Sequence, residues 1–151
     1  MDPTDRRIVQ ALREQGRLPF AELGRQVGLS GPAVQERVRR LEERGVITGF
    51  TAVVDAAAVG LGVSALIGIT VADGAETDDV ARRLKDVDEI EDCWFVAGEE
   101  NFVVTVRARD VASLEAVVTK LRRLRGVART RTTVVLSTRW EGRPAPLPDP
   151  A

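Results

Sequence analysis

Gln35, Arg39 and Arg40 are the side chains whose types and spacing suggest a defined chemistry, the reading of a nucleic-acid duplex. A Gln amide both donates to and accepts from a base edge, and a guanidinium pairs with phosphate oxygens. All three sit in Phe20–Gly45, FAELGRQVGLSGPAVQERVRRLEERG, which reads as two helices joined by a tight turn. Leu23 and Val27 recur at i, i+4 on the first helix, and Val34, Val38 and Leu41 at i, i+4, i+7 on the second. Each helix thus has one apolar stripe to bury, and the polar trio lies off it. Between them, Gly28 supplies an exit from the first helix and Ser30 a cap for the second. A Gly-containing turn between two amphipathic helices is the helix-turn-helix signature. The same pattern also fits an ordinary helical hairpin with a solvated basic face.

Competing chemistries are few. The chain has no histidine and one cysteine, Cys93, which excludes Ser-His and Cys-His catalysis, an intrachain disulfide and any His-based zinc site. No acids pair at a spacing suited to general acid–base work, so an enzyme is not expected and no cofactor is implied. No apolar run approaches the roughly 20 residues that span a bilayer, and Asp2-Pro3-Thr4-Asp5 is no signal peptide. The expected location is therefore the cytoplasm, away from membrane. A length of 151 residues, 44% apolar and 30% charged, suits one ordinary soluble domain or two small ones. Aromatics are only 4%, so the cores must be built from Val, Leu, Ile and Ala. Net charge is −1, with nine Arg against seven acids in residues 1–48. So modest an excess needs several copies acting together to gain affinity from phosphate contacts.

The elements that must position these residues follow in order. Asp2 caps a first helix from about Pro3 to Gln15, with Pro3 at its first position. The second and third helices span about Phe20–Val27 and Gly31–Arg44, and Gly45 ends the third. Ile8, Leu12, Leu23, Val27, Val34, Val38 and Leu41 form their shared core. Val46–Val54 is rich in β-branched residues and reads as an extended segment, followed by a linker to Gly62. Beyond it, strands at 63–72, 90–96, 101–108 and 127–138 alternate with helices at 77–86 and 111–125. The order βαββαβ is the ferredoxin-like split unit, whose two helices cover one sheet face. On the first of these strands Ala65, Ile67, Ile69 and Val71 point one way and Leu66, Gly68 and Thr70 the other. Apolar groups occur on both faces, which predicts a dimer joined through this domain. The last stretch, 140–151, holds four prolines from Pro144 onward and is expected to be a disordered tail.

The chain resembles transcriptional regulators of the Lrp/AsnC (leucine-responsive/asparagine regulator, feast/famine) family. The resemblance covers about residues 2–138. It rests on Asp2-x-x-Asp5-Arg6-Arg7-Ile8, Glu22-Leu23, Val27-Gly28-Leu29-Ser30, Arg37-Val38-Arg39-Arg40-Leu41, Gly45-Val46-Ile47, Asp55 with Gly60, Gly98, and Gly126-Val127 with Thr132. It implies an α+β protein: a winged-helix-type helix-turn-helix domain (1–48), a strand linker (49–62) and a ferredoxin-like dimerisation and effector-binding domain (63–139). It further implies homodimers assembling into tetramers or octamers, pseudo-palindromic operators on double-stranded DNA, and an amino-acid effector. The implied effector site uses the hairpin loop, Ala97, Gly98, Glu99, Glu100 and Asn101, with Thr130 and Thr132 of the last strand. Three positions depart from the family pattern: Asn101 replaces the usual Asp, Ala97 the usual Thr, and Arg125 the usual Pro. Losing the carboxylate at 101 disfavours a cationic amino acid.

On this reading Ser30 caps the recognition helix, and Gly31, Pro32 and Ala33 allow close approach to the duplex. Gln35 contacts a base. Arg39 and Arg40 hold phosphates, and Arg37 either does the same or braces the turn. Gly98 is expected to be a hairpin glycine at φ > 0, and the Glu99-Glu100 pair a solvated loop. The alternative is a ferredoxin-like small-molecule-binding protein or enzyme with an accessory helical domain, but no polar catalytic pair is visible. RNA binding on the sheet would need stacking aromatics, and the third strand offers only Phe102.

Overall fold

Helix α1 (Pro3–Glu14) begins where Asp2 accepts a hydrogen bond from the Asp5 N–H at 2.7 Å. Pro3 occupies the first turn, where its missing N–H is no loss. Helix α2 (Phe20–Val27) stops at Gly28, whose φ of 77° is left-handed and open to glycine without strain. The Leu29 N–H returns to the Gly24 carbonyl at 2.9 Å, and Ser30 then caps α3 (Gly31–Glu43) by accepting from the Ala33 N–H at 3.4 Å. Residues 1–148 are described in this computed structural model. They divide into two units, one holding Met1–Val53 with the residues from Trp140 onward, the other Val54–Arg139.

In the first unit Ile8, Leu23, Val34, Val38 and Leu41 are at most 2% exposed. Each such burial contributes roughly 1.5–3 kcal/mol. Close packing of the turn depends on two glycines. A Cβ at Gly24 would stand 2.4 Å from the Leu29 carbonyl oxygen, and one at Gly31 would meet the Ala21 Cα at 3.4 Å. The strand expected over Val46–Val54 does not form. The N–H groups of Val46 and Ile47 both turn back onto the Leu41 carbonyl, at 2.9 and 3.1 Å. Phe50, Val53 and Val54 stay more than half exposed. The segment pairs with no strand among the described residues. No β-hairpin wing accompanies the three helices there either.

In the tail, residues 149–151 lie outside the described residues, so the expected disorder there is not addressed. Residues 141–148 form no helix or strand, yet they touch the first unit. Arg13 Nη1 donates to the Ala145 carbonyl at 2.8 Å, and Leu147 packs on the helical core.

The second unit is β1 (Val63–Val71), α4 (Thr77–Lys85), β2 (Ile90–Phe95), β3 (Phe102–Ala108), α5 (Val111–Arg122) and β4 (Val127–Val135). The antiparallel sheet has the order β2-β3-β1-β4. Ala65, Ile67 and Ile69 of β1 face Val106, Val104 and Phe102 of β3 in register, and all six are buried. Cross-strand partners share a face, so this is the side that Val80 and Leu84 of α4 and Leu114, Val117 and Leu121 of α5 cover. The other face carries Leu66 and Trp94, 41% and 47% exposed, beside polar Ser64, Arg107 and Arg131. The apolar content expected there is present but interrupted by charge.

Candidate nucleic-acid interface and effector loop

Three arginines of α3 were expected at a duplex, and each has a carboxylate partner. Arg37 Nη1 reaches Asp5 Oδ1 at 2.7 Å and also pairs with Asp2. It ties the third helix to the start of the first. The Arg37 guanidinium, more than the Asp5 N–H, holds the Asp2 carboxyl below its usual range. Arg39 grips both oxygens of Glu36, Nε to Oε2 at 2.9 Å and Nη2 to Oε1 at 2.7 Å, and pairs with Glu43 as well. Arg40 Nε joins Glu36 Oε1 at 3.0 Å. The two guanidiniums, Arg39 foremost, pull the Glu36 carboxyl down to about 2. Such exposed pairs are weak and screened by salt, so phosphates can compete for these arginines.

Gln35 is exposed and lines a shallow groove of about 380 Å³ with Phe20, Pro32, Glu36 and Arg39. Ser30 and Pro32 are exposed, while Gly31 and Ala33 are half-buried against the turn. Residues 30–40 therefore lie on α3 and its cap, packed against α2 at the turn through Gly24 and Gly28.

The loop between β2 and β3 holds the second candidate cluster. Asn101 is half-buried and works within the chain: its N–H donates to the Ile69 carbonyl at 2.9 Å, and its Oδ1 accepts from the Val71 N–H at 2.8 Å. An Asp could make the same contact, so the departure at 101 removes charge and leaves this geometry intact. Gly98 is not at positive φ, contrary to expectation, and a Cβ there would meet nothing within 4 Å. Glu99 and Ala97 are exposed. Glu100 is not the solvated residue expected, since its side chain is only 13% exposed and pairs with Arg131 Nη2 at 2.6 Å.

Register decides which implied effector residues meet. Thr130 is the partner of Ile69, so it and Asn101 flank the same stretch of β1. Thr132 pairs with Ile67, one step further along the helix-covered face at the sheet edge. Glu100 lies on the opposite face, over Gly68, which is the partner of Arg131. Sequence reasoning missed Gly68 and Arg131. The available signal was a glycine inside the apolar run Leu66–Val71, which marks close approach of another group.

Comparison with known proteins follows the same division. Residues 1–42 match the AsnC-type helix-turn-helix domain, and residues 64–145 the Lrp/AsnC ligand binding domain. The chain is 42% identical to the HTH-type transcriptional regulator LrpA of Mycobacterium tuberculosis over 95% of each chain. Among solved structures it is similar to the feast or famine regulatory protein of M. tuberculosis complexed with L-methionine, at 41% identity, 96% and 98% coverage and a TM-score of 0.90. It is also similar to a transcriptional regulator of Neisseria meningitidis in complex with L-Met, at 27% identity, 98% and 96% coverage and a TM-score of 0.87. These relatives are transcriptional regulators, not enzymes.

Proposed function

We propose, from the premise that this chain belongs to the Lrp/AsnC family of helix-turn-helix transcriptional regulators, that it reads a pseudo-palindromic operator as a homo-oligomer and responds to an amino acid. Residues 1–48 serve as the reader, 49–62 as the linker and 63–139 as the dimerisation and effector-binding domain. The observation that carries this reading is α3 itself, capped at Ser30 and locked against α2 by Gly24, with its polar face turned outward. Gln35 contacts a base, the backbone at Gly31, Pro32 and Ala33 comes close to the duplex, and Arg39 and Arg40 hold phosphates through N–H groups that Glu36 leaves over. One copy offers few such contacts, and a dimer doubles the counterion release without new chemistry. Leu66 and Trp94, on the open sheet face of the second unit, are the apolar surface that a second copy would cover.

The effector is an uncharged amino acid of the size of methionine, the ligand named for two of the similar structures. It sits against the loop 97–101 and the β4 residues Thr130 and Thr132. Asn101 favours no cationic side chain, because it lacks the carboxylate and its Oδ1 already accepts from Val71. The ligand acts by stabilising the assembly that completes its site, so it shifts oligomer populations and with them operator affinity. A mobility-shift assay on the DNA upstream of the gene, at low salt and with each of the twenty amino acids in turn, tests both levels. The expected result is a shifted complex whose mobility or midpoint changes with methionine or a similar apolar amino acid. No shift under any condition would sink the regulator reading, and a shift indifferent to all twenty would sink only the effector.

A further inference from the structure

On α3, Pro32, Glu36, Arg39 and Glu43 recur at i, i+4, i+7 and i+11, on the side opposite the buried Val34, Val38 and Leu41. At 3.6 residues per turn Glu36 stands about 200° around the helix from Val34, and Gln35 only about 100°. Gln35 is thus on the flank beside Phe20, and the side chain at the centre of the outward face is a carboxylate.

We propose that Glu36 is a specificity-determining residue of this reader, accepting a hydrogen bond from the exocyclic amino group of a cytosine in the major groove while Arg39 and Arg40 hold it in position. The proposal rests on the reading of α3 as the recognition helix. Both Glu36 oxygens are held by the planar fork of Arg39, and Oε1 also by Arg40. This double grip fixes the carboxylate direction, which one flexible Glu on an exposed helix would otherwise lack. With its carboxyl held at about 2, Glu36 is an acceptor only at neutral pH. Facing a phosphate backbone, such a group repels every sequence. Facing base edges, it is satisfied by an amine alone. Cytosine offers its N4 amine with no acceptor of its own beside it on the major-groove edge. Adenine sets its N7 acceptor next to N6, against the carboxylate lone pairs. Glu36, held by its two arginines, is thereby matched to the cytosine of a C·G pair.

The test is enrichment of the full-length protein on a randomised duplex library, followed by sequencing, for wild type, Glu36→Ala and Glu36→Gln. Wild type is expected to select C at one position of each half-site. Glu36→Ala loses that preference, by about tenfold or more, and keeps the rest of the motif. Glu36→Gln shifts the same position toward adenine, whose N6 and N7 suit an amide. An unaltered motif in Glu36→Ala overturns the proposal. So does a uniform gain of affinity for all sequences, which would mean that Glu36 merely repels phosphates and restrains its arginines. Adenine at the wild-type position overturns the cytosine assignment. A wild-type protein that enriches no motif at all overturns the regulator reading first and this one with it. Circular dichroism of each variant separates these outcomes from unfolding, and the exposed site predicts intact folds.

Discussion

The side chain of Glu100 lies directly across the backbone of Gly68, where a Cβ would stand 2.6 Å from its Cγ. The glycine is what lets the hairpin loop reach over the sheet and place Glu100 on Arg131. Gly68→Ala should displace a flexible side chain, not a backbone, so the fold survives at a cost of about 1 kcal/mol or less. The loop bearing Glu100 also bears Asn101, so the amino-acid concentration that gives half of the effect on the DNA complex should move several-fold. Titration of the effector against wild type and Gly68→Ala checks it, and coincident curves would separate the Glu100 contact from sensing.

Arg37 is a brace between α3 and α1, gripping Asp5 and Asp2. Arg37→Ala should lower thermal stability and show coupling with Asp5→Ala in a double-mutant cycle. It should leave the salt dependence of DNA binding nearly unaltered. Losing a phosphate contact would reduce the slope of log K against log salt by about 0.9. A change of that size would reassign Arg37 to the DNA.

Much of this architecture is legible in the sequence, and the residues that are not share a cause. Val34, Val38 and Leu41 declare their helix by spacing, and Ile67 and Ile69 their strand by alternation, because burial acts on local periodicity. Asp2, Ser30 and Gly28 declare ends by local hydrogen bonding or φ. Val46–Val54 has strand composition but pairs with no strand among the described residues, and pairing is a long-range property that composition does not encode. Glu100 looks like a solvated acid until β4 brings Arg131 beside it. Glu36 differs from it. Its two arginines stand at i+3 and i+4, which helical spacing already places beside it, and the structure adds that both of its oxygens are held.

Gly24 is the tightest point of the reader. Its missing Cβ leaves room for the Leu29 carbonyl, which is backbone and cannot swing aside. Gly24→Ala should therefore destabilise by about 1–3 kcal/mol despite the better helix propensity of Ala. Chemical denaturation measures this, and a neutral or stabilising result would mean that the turn relaxes freely.

In the tail the Ala145 carbonyl accepts from Arg13 and Leu147 packs on the helical core. Removing residues from Pro144 onward should cost roughly 1 kcal/mol, about half of a fully buried Leu. Leu147→Ala should account for most of that loss. Equal stability of the truncated and full-length proteins would show that the strap adds nothing to the fold.

Asp110 supplies a pH signature for the second unit. Its Oδ1 accepts from the Ser113 N–H at 2.7 Å and from Ser113 Oγ at 2.6 Å, capping α5. These bonds, ahead of the neighbouring Arg109, lower its carboxyl to about 2. A carboxylate whose folded pKa lies below its unfolded value adds stability above the unfolded value, about 3.9, and loses it as pH falls through about 2. The stability gap between wild type and Asp110→Ala should hence be constant from pH 7 to about pH 5 and close toward pH 2. Glu36 and Asp2, also lowered, are common to both proteins and cancel in the difference. Thermal melts of the pair across that range decide the matter: a gap that persists at pH 2 would mean that Asp110 stabilises α5 by packing and not by its charge.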